Sequence, residues 1–293
     1  MNAIETHELT KFYGTARGIE RVDLTVPEGD FFGFIGPNGA GKSTTIRLLM
    51  GLIHPTLGSA SVLGKSVNGT APALLSQIGY LPSEAAFYAG MTVKDLLVFS
   101  GKMRGAECAA ERERLCERLA LDPKRKIGEL SLGNKKKVGI VCALQHNPRL
   151  IILDEPTSGL DPLMQREFFD ILEERNRAGA TVFLSSHVLT EISRYCRHAA
   201  VIRDGKVVTS DSVVNLGHTG VKRVTLRGCH GDHLPDGASR VSREGETVSF
   251  LYSGRPDALI RELSSLAFDD FSVSDPDLEE VVMQFYAGEG EKQ

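Results

Sequence analysis

Three groups of residues in this 293-residue chain have the types and spacing for phosphate chemistry. Gly36, Asn38, Gly39, Ala40, Gly41, Lys42, Ser43 and Thr44 belong to the run G-P-N-G-A-G-K-S-T. It fits a phosphate-binding loop: glycine, four residues, glycine, lysine, serine. Glycines let the backbone curl until several N–H groups face one anion, and a following helix start adds its positive end. Lys42 would then reach the β- and γ-phosphates of a nucleotide, and the Ser43 hydroxyl would ligate Mg²⁺. The second group ends an apolar run, Leu150-Ile-Ile-Leu, in Asp154 and Glu155. Two acids there are costly without a partner such as a metal. Asp154 suits a Mg²⁺ ligand acting through water. Glu155 suits a general base that takes a proton from an attacking water, an effect worth about 10²–10⁴ in rate. The third is His187, which follows the apolar run T-V-F-L-S-S over residues 181–186.

These groups need a scaffold, and the surrounding pattern supplies one. Residues 18–36 hold two β-rich runs parted by the turn signal Pro27-Glu28-Gly29. The second run, F-F-G-F-I, is nearly all apolar, as a buried parallel strand should be. Residues 44–50 read as a helix. Residues 91–120 are mostly helical in pattern, with Cys108, Leu115, Cys116 and Leu119 on one face, the cysteines as small core residues. Buried strands alternating with helices predict an α/β fold on a parallel sheet. In such sheets ligands bind beyond the carboxyl ends of the strands. The loop, the acid pair and His187 each follow such an end, so they are expected to converge on one nucleotide.

Composition narrows the class. Hydrophobic residues are 41% and charged residues 25%, values of an ordinary globular protein rather than a disordered or disulfide-scaffold chain. No apolar run approaches the roughly 18–20 residues that span a bilayer, and the first residues carry no signal-peptide pattern. The five cysteines are irregularly spaced, as reduced thiols are, so a cytoplasmic location is expected. A net charge of −4 gives no reason to expect a nucleic-acid partner. The charge is uneven: residues 218–293 hold 8 Lys and Arg against 14 Asp and Glu. Residues 215–220 are polar and glycine-rich, a linker pattern. Two domains are therefore expected, 1–217 and 218–293.

Over about residues 3–217 the chain resembles the ATP-binding subunits of ABC transporters. The resemblance implies a P-loop ATPase core with a helical subdomain at about 86–148, Mg²⁺-dependent ATP hydrolysis, and an adenine-stacking role for Tyr13 in L-T-K-F-Y-G at 9–14. His187 matches the histidine that contacts the γ-phosphate, and Asp161 in Ser158-Gly-Leu-Asp161 the loop that communicates between subunits. Ser131, Gly133 and Asn134 in L-S-L-G-N match the signature motif, which in this family serves the ATP of an opposing subunit. Ser131 and Gly133 also precede a helix running to about Gln145, where a hydroxyl and free N–H groups make an anion site. The lysines at 135–137 read either as a solvated face or as a draw for nucleotide phosphates.

With one phosphate loop and one signature, the chain needs a second ATP-binding subunit, a copy or a homologue. The resemblance further implies a membrane-spanning permease partner and a peripheral place on the inner face of the cell membrane. Leu132 stands where the signature's first glycine is usual and Asn134 where glutamine is usual, a form resembling the branch of antibiotic and drug exporters. A soluble ATPase of the same type, uncoupled from transport, is the alternative. Ser83 falls where the family's Q-loop carries glutamine and is too short to span to metal or water directly.

Beyond the linker, residues 221–227 and 247–252 alternate like half-buried strands, 256–266 reads as a helix and 268–273 as a strand. Asp275 and Pro276 would start a helix whose stripe is Leu278, Val281, Val282, Phe285 and Tyr286. The result is a small α+β domain, its stripe buried within itself or turned to a partner. Cys229, His230 and His233 lack a second cluster to complete a metal site.

Overall fold

A computed structural model describes residues 1–67, 69, 72–217, 221–229, 234–276, 278 and 280–282. The chain divides into two compact units, Met1–Asp211 and Ser212–Gln293. The boundary falls before the position expected from composition. Residues 215–217, read as linker, belong to a short helix, and 218–220 lie outside the described residues.

The first unit runs β1 (Asn2–Tyr13), β2 (Ala16–Pro27), β3 (Phe31–Ile35), α1 (Lys42–Leu49), β4 (Leu57–Val62), β5 (Lys65–Ser66), α2 (Pro72–Leu75) and β6 (Ile78–Leu81). It continues through α3 (Val93–Met103), α4 (Ala109–Arg118), α5 (Leu132–Leu144), β7 (Leu150–Asp154), α6 (Pro162–Arg177), β8 (Thr181–Ser186), α7 (Leu189–Tyr195), β9 (His198–Arg203) and β10 (Lys206–Ser212). Six strands form one sheet in the order β10-β9-β3-β8-β7-β6. β3 lies parallel to β8 and β9, and β7 parallel to β8 and β6. All residues of β3, β7 and β8 are buried, which is why these strands read as largely apolar runs with polar residues only at their ends. A second, antiparallel sheet has the order β2-β1-β4-β5. α1 packs between the two sheets: Ile46 and Leu49 share one core cluster with Ile4 and Val22 on one side and Phe34 and Ile152 on the other. The loop before α1 is thereby anchored from both sheets.

α3, α4 and α5 make up the helical part. Cys108, Leu115, Cys116 and Leu119 are buried there, and none of the five cysteines is in a disulfide. Arg114 and Arg118 of α4 pair with Glu167 and Glu174 of α6, fastening these helices to the sheet's flank.

The second unit contains α8 (Val213–Gly217), β11 (Lys222–Arg227), β12 (Ala238–Glu244), β13 (Thr247–Tyr252), α9 (Pro256–Leu263) and β14 (Asp270–Ser274). Its sheet order is β12-β13-β11-β14, antiparallel throughout. Val224, Leu226, Val248 and Phe250 pack against Leu259 and Leu263 of α9. β12 was not legible in the sequence: six of its seven residues are exposed, so no apolar alternation marks it. Leu278, Val281 and Val282 are helical and buried, while Phe285, Tyr286, His230 and His233 lie outside the described residues. Among the described residues no helix is long and apolar enough to cross a membrane.

Candidate nucleotide site

The turn from β3 into α1 sets the first part of the site. Gly41 caps α1 at φ 110°, and a Cβ there would stand 2.6 Å from Ile19 Cγ2. Neither the dihedral nor the space admits a side chain. Gly36 is buried, Ala40 is buried, and Asn38 and Gly39 form the exposed tip. Lys42 is nearly buried and turns back over the loop, its Nζ donating to Gly36 O at 2.5 Å and Pro37 O at 3.3 Å.

β7 and β8 deliver the rest. Ser43 Oγ donates to Asp154 Oδ2 at 2.7 Å, and Ser185 Oγ donates to Asp154 Oδ1 at 3.1 Å. Asp154 is 2% exposed, so these two hydroxyls satisfy a carboxylate otherwise held away from water. Glu155 follows at φ 49°, the left-handed region that a non-glycine residue enters at some strain. Its Oε2 is 2.7 Å from His187 Nδ1, and its Oε1 is 3.2 Å from Lys42 Nζ. The Lys42 contact is an ion pair without hydrogen-bond geometry, and among the described residues no donor reaches Oε1 as a hydrogen bond.

A cleft of about 350 Å³ opens beside these groups, with Asp154 and His187 outside its lining and tied to it through Ser43 and Glu155. Tyr13, Asn38, Gly39, Gly41, Lys42, Ser43, Thr44, Ser83 and Glu155 line it. Tyr13 is 46% exposed, with Lys11 Nζ over its ring at 5.5 Å from the centroid. Arg17 and Gly18 also line the cleft and were not anticipated. A Cβ on Gly18 would come within 2.9 Å of Tyr13 Cε2, so a bare backbone there lets the tyrosine settle over the loop. Glu84, beside Ser83, is exposed and does not line the cleft.

The signature residues and Asp161 do not line this cleft. Ser131 is exposed and caps α5, its hydroxyl accepting from Asn134 N at 3.4 Å. Gly133 lies inside the first turn of α5 rather than before the helix, and a Cβ on it would stand 2.8 Å from Gly159 O. Asp161 caps α6, accepting from Leu163 N and Met164 N at 3.1 and 3.0 Å.

For Lys136 neither reading of the lysine run holds. It is 6% exposed, neither a solvated residue nor one free to attract phosphate. Its Nζ donates to Ser83 O and to Glu155 O, each at 3.0 Å. Burial pulls its ammonium below the usual lysine range, against the opposing pull of Asp154 and Glu155. Ser185 was also missed, although two serines closing an otherwise apolar strand mark a place where buried polar groups need partners.

Known proteins share this fold. The profile of the ABC transporter family matches residues 19–158. The bacitracin transport ATP-binding protein BcrA of Bacillus licheniformis is 39% identical over 211 residues, covering 70% of this chain and 68% of that protein. A solved structure of an ATP-binding subunit of an ABC transporter is 31% identical with a TM-score of 0.69, over 73% of this chain and 91% of its own. A dimeric ATP-binding cassette in a post-hydrolysis state, bound to ADP and Pi, is 25% identical with a TM-score of 0.63, over 71% and 98%. The cleft, its phosphate loop and these relatives agree: the chain belongs to the ATP-binding ATPase subunits of ABC transporters.

Proposed function

We propose that this subunit powers export of an antibiotic or drug-like substrate through a separate membrane-spanning permease, peripheral on the inner face of the cell membrane. The observation that carries the catalytic reading is one cleft lined by Lys42, Ser43 and Glu155, with Asp154 bonded to Ser43 and His187 to Glu155 behind its wall. Likeness to BcrA, named for bacitracin transport, supports the export reading. The signature form at Ser131-Leu-Gly-Asn134 supports it too.

The geometry and the family resemblance support the following residue roles. Tyr13 stacks on adenine, and the loop N–H groups from Gly39 to Thr44 cradle the phosphates with Lys42. The oxygen donors of Ser43 and Asp154, brought within 2.7 Å of each other, suit a hard divalent cation. Mg²⁺ bound there would offset charge on the β- and γ-phosphate oxygens. Glu155 accepts the proton of the attacking water, and His187 holds its carboxylate in line. The exposed Ser131 and the half-buried Gly133, outside this cleft, serve the nucleotide of a second subunit, copy or homologue. The dimeric relative supports that pairing.

The test is ATP binding and turnover by the full chain beside Lys42→Ala, with the permease sought among co-purifying membrane chains. Wild-type turnover with ATP affinity lowered at least about 10-fold in the variant is expected. Unchanged affinity in Lys42→Ala would remove the phosphate-loop assignment. A wild-type chain isolated without any membrane partner would count against export.

A further inference from the structure

α5 buries a cation against two loops of the nucleotide cleft. Lys136 Nζ donates to the backbone carbonyls of Ser83 and Glu155 at 3.0 Å each. An apolar side chain would fill that volume without desolvating an ammonium, so the arrangement is explained by what it holds. What it holds is the peptide that carries the proposed base. Glu155 sits at φ 49°, and its N–H donates to Ser185 O at 3.0 Å. With Ser185 on one side and Lys136 on the other, the backbone is pinned before and after the Glu155 side chain. That fixes the direction of a carboxylate facing Lys42 and His187. Lys136 also stands one turn beyond Ser131 and Gly133, and the same helix packs Gly133 against Gly159.

We propose that Lys136 is a positioning residue for hydrolysis. Its ammonium clamps the carbonyls of Glu155 and Ser83, aims the base, and ties both loops to the helix that opens with the signature residues. The inference rests on the ATPase reading above. Lys136 does not line the cleft, so its loss leaves the phosphate and adenine contacts in place. Misplacing a reacting group by about 1 Å costs on the order of 10²-fold in rate. Turnover should therefore fall while affinity stays.

The experiment uses the full chain with Mg²⁺ and ATP. Lys136→Met keeps an unbranched stem and removes every donor. Its kcat should fall about 10- to 100-fold. Its affinity for ATP, read with a non-hydrolysable analogue, should stay within about threefold. Lys136→Gln restores a neutral donor and should recover most of kcat. A Lys136→Met protein at the wild-type rate overturns the clamp. So does Lys136→Gln as slow as Lys136→Met, or affinity falling in step with kcat. In ¹⁵N-lysine-labelled wild-type protein a slowly exchanging ammonium signal should appear and be absent from Lys136→Gln. A spectrum unchanged by that substitution overturns the clamp, whether or not Lys136→Met folds. A wild-type chain without ATPase activity would overturn the ATPase reading and the clamp with it. Equal rates in wild type and Lys136→Met overturn the clamp alone.

Discussion

Glu155→Gln should slow hydrolysis and tighten ATP binding at once, and the second effect follows from Lys42. Glu155 Oε1 stands 3.2 Å from Lys42 Nζ, with side-chain exposures of 17% and 6%. At an effective permittivity of about 20, unit charges at that distance attract by about 5 kcal/mol. Desolvation of two mostly buried groups offsets much of this. A net of about 1.5–3 kcal/mol, usual for hydrogen bonds to charged groups, is a fair ceiling for what remains. A γ-phosphate must compete with this carboxylate for Lys42 and also meets its negative charge. An amide at the same place removes both obstacles and leaves Gly36 O and Pro37 O as neutral acceptors. Recovering about 1.4 kcal/mol corresponds to about tenfold tighter ATP. Removal of the base should lower single-turnover hydrolysis by about 10²–10⁴. Equilibrium binding of a fluorescent ATP analogue and quenched single-turnover kinetics read the two effects separately. Affinity unchanged or weaker in Glu155→Gln would refute the competition for Lys42. Hydrolysis at the wild-type rate would refute the base.

Ser185→Ala removes one of two hydroxyls on the buried Asp154. It should destabilise the first unit by about 1.5–3 kcal/mol, lowering its melting transition by about 3–10 °C, and raise the Mg²⁺ concentration needed for half-maximal ATPase activity. A melt and Mg²⁺ titration overlaying wild type would mean this hydroxyl does not support the carboxylate. Ser83→Gln places a longer polar side chain at the cleft wall and should raise Mg²⁺-dependent ATPase activity or shift its Mg²⁺ dependence. Glu84→Ala should leave both unchanged, because Glu84 is exposed and off the cleft. A fall in activity there, measured over the same titration, would show that Glu84 reaches the metal.

The site was legible wherever local chemistry forces a residue type. A loop that must wrap an anion needs glycine at φ 110° before α1, and this need is written at Gly41. Strands buried on both faces must be apolar, so β3, β7 and β8 announce themselves, and polar residues at their carboxyl ends stand out against them. Where partners come from distant segments the sequence was silent. Asp161 shows the mixture: its type is already accounted for as the cap of α6, so its presence alone does not establish an inter-subunit role.

Lys136 shows why a charge run misleads. Three adjacent lysines share one composition but point in three directions, since successive residues on a helix are about 100° apart. From Val138 on, α5 is buried on almost every side, and 136 lies one turn before Ile140 and two before Ala143. Position therefore puts the middle lysine against buried neighbours, while its type argues for the surface. Type yields to position when carbonyls wait at the end of the side chain, and those carbonyls belong to loops 53 and 19 residues away. A cation on an apolar stripe is thus a question put to the fold about what it holds. In this chain the answer is the backbone of Glu155, the residue on which hydrolysis turns in the reading proposed here.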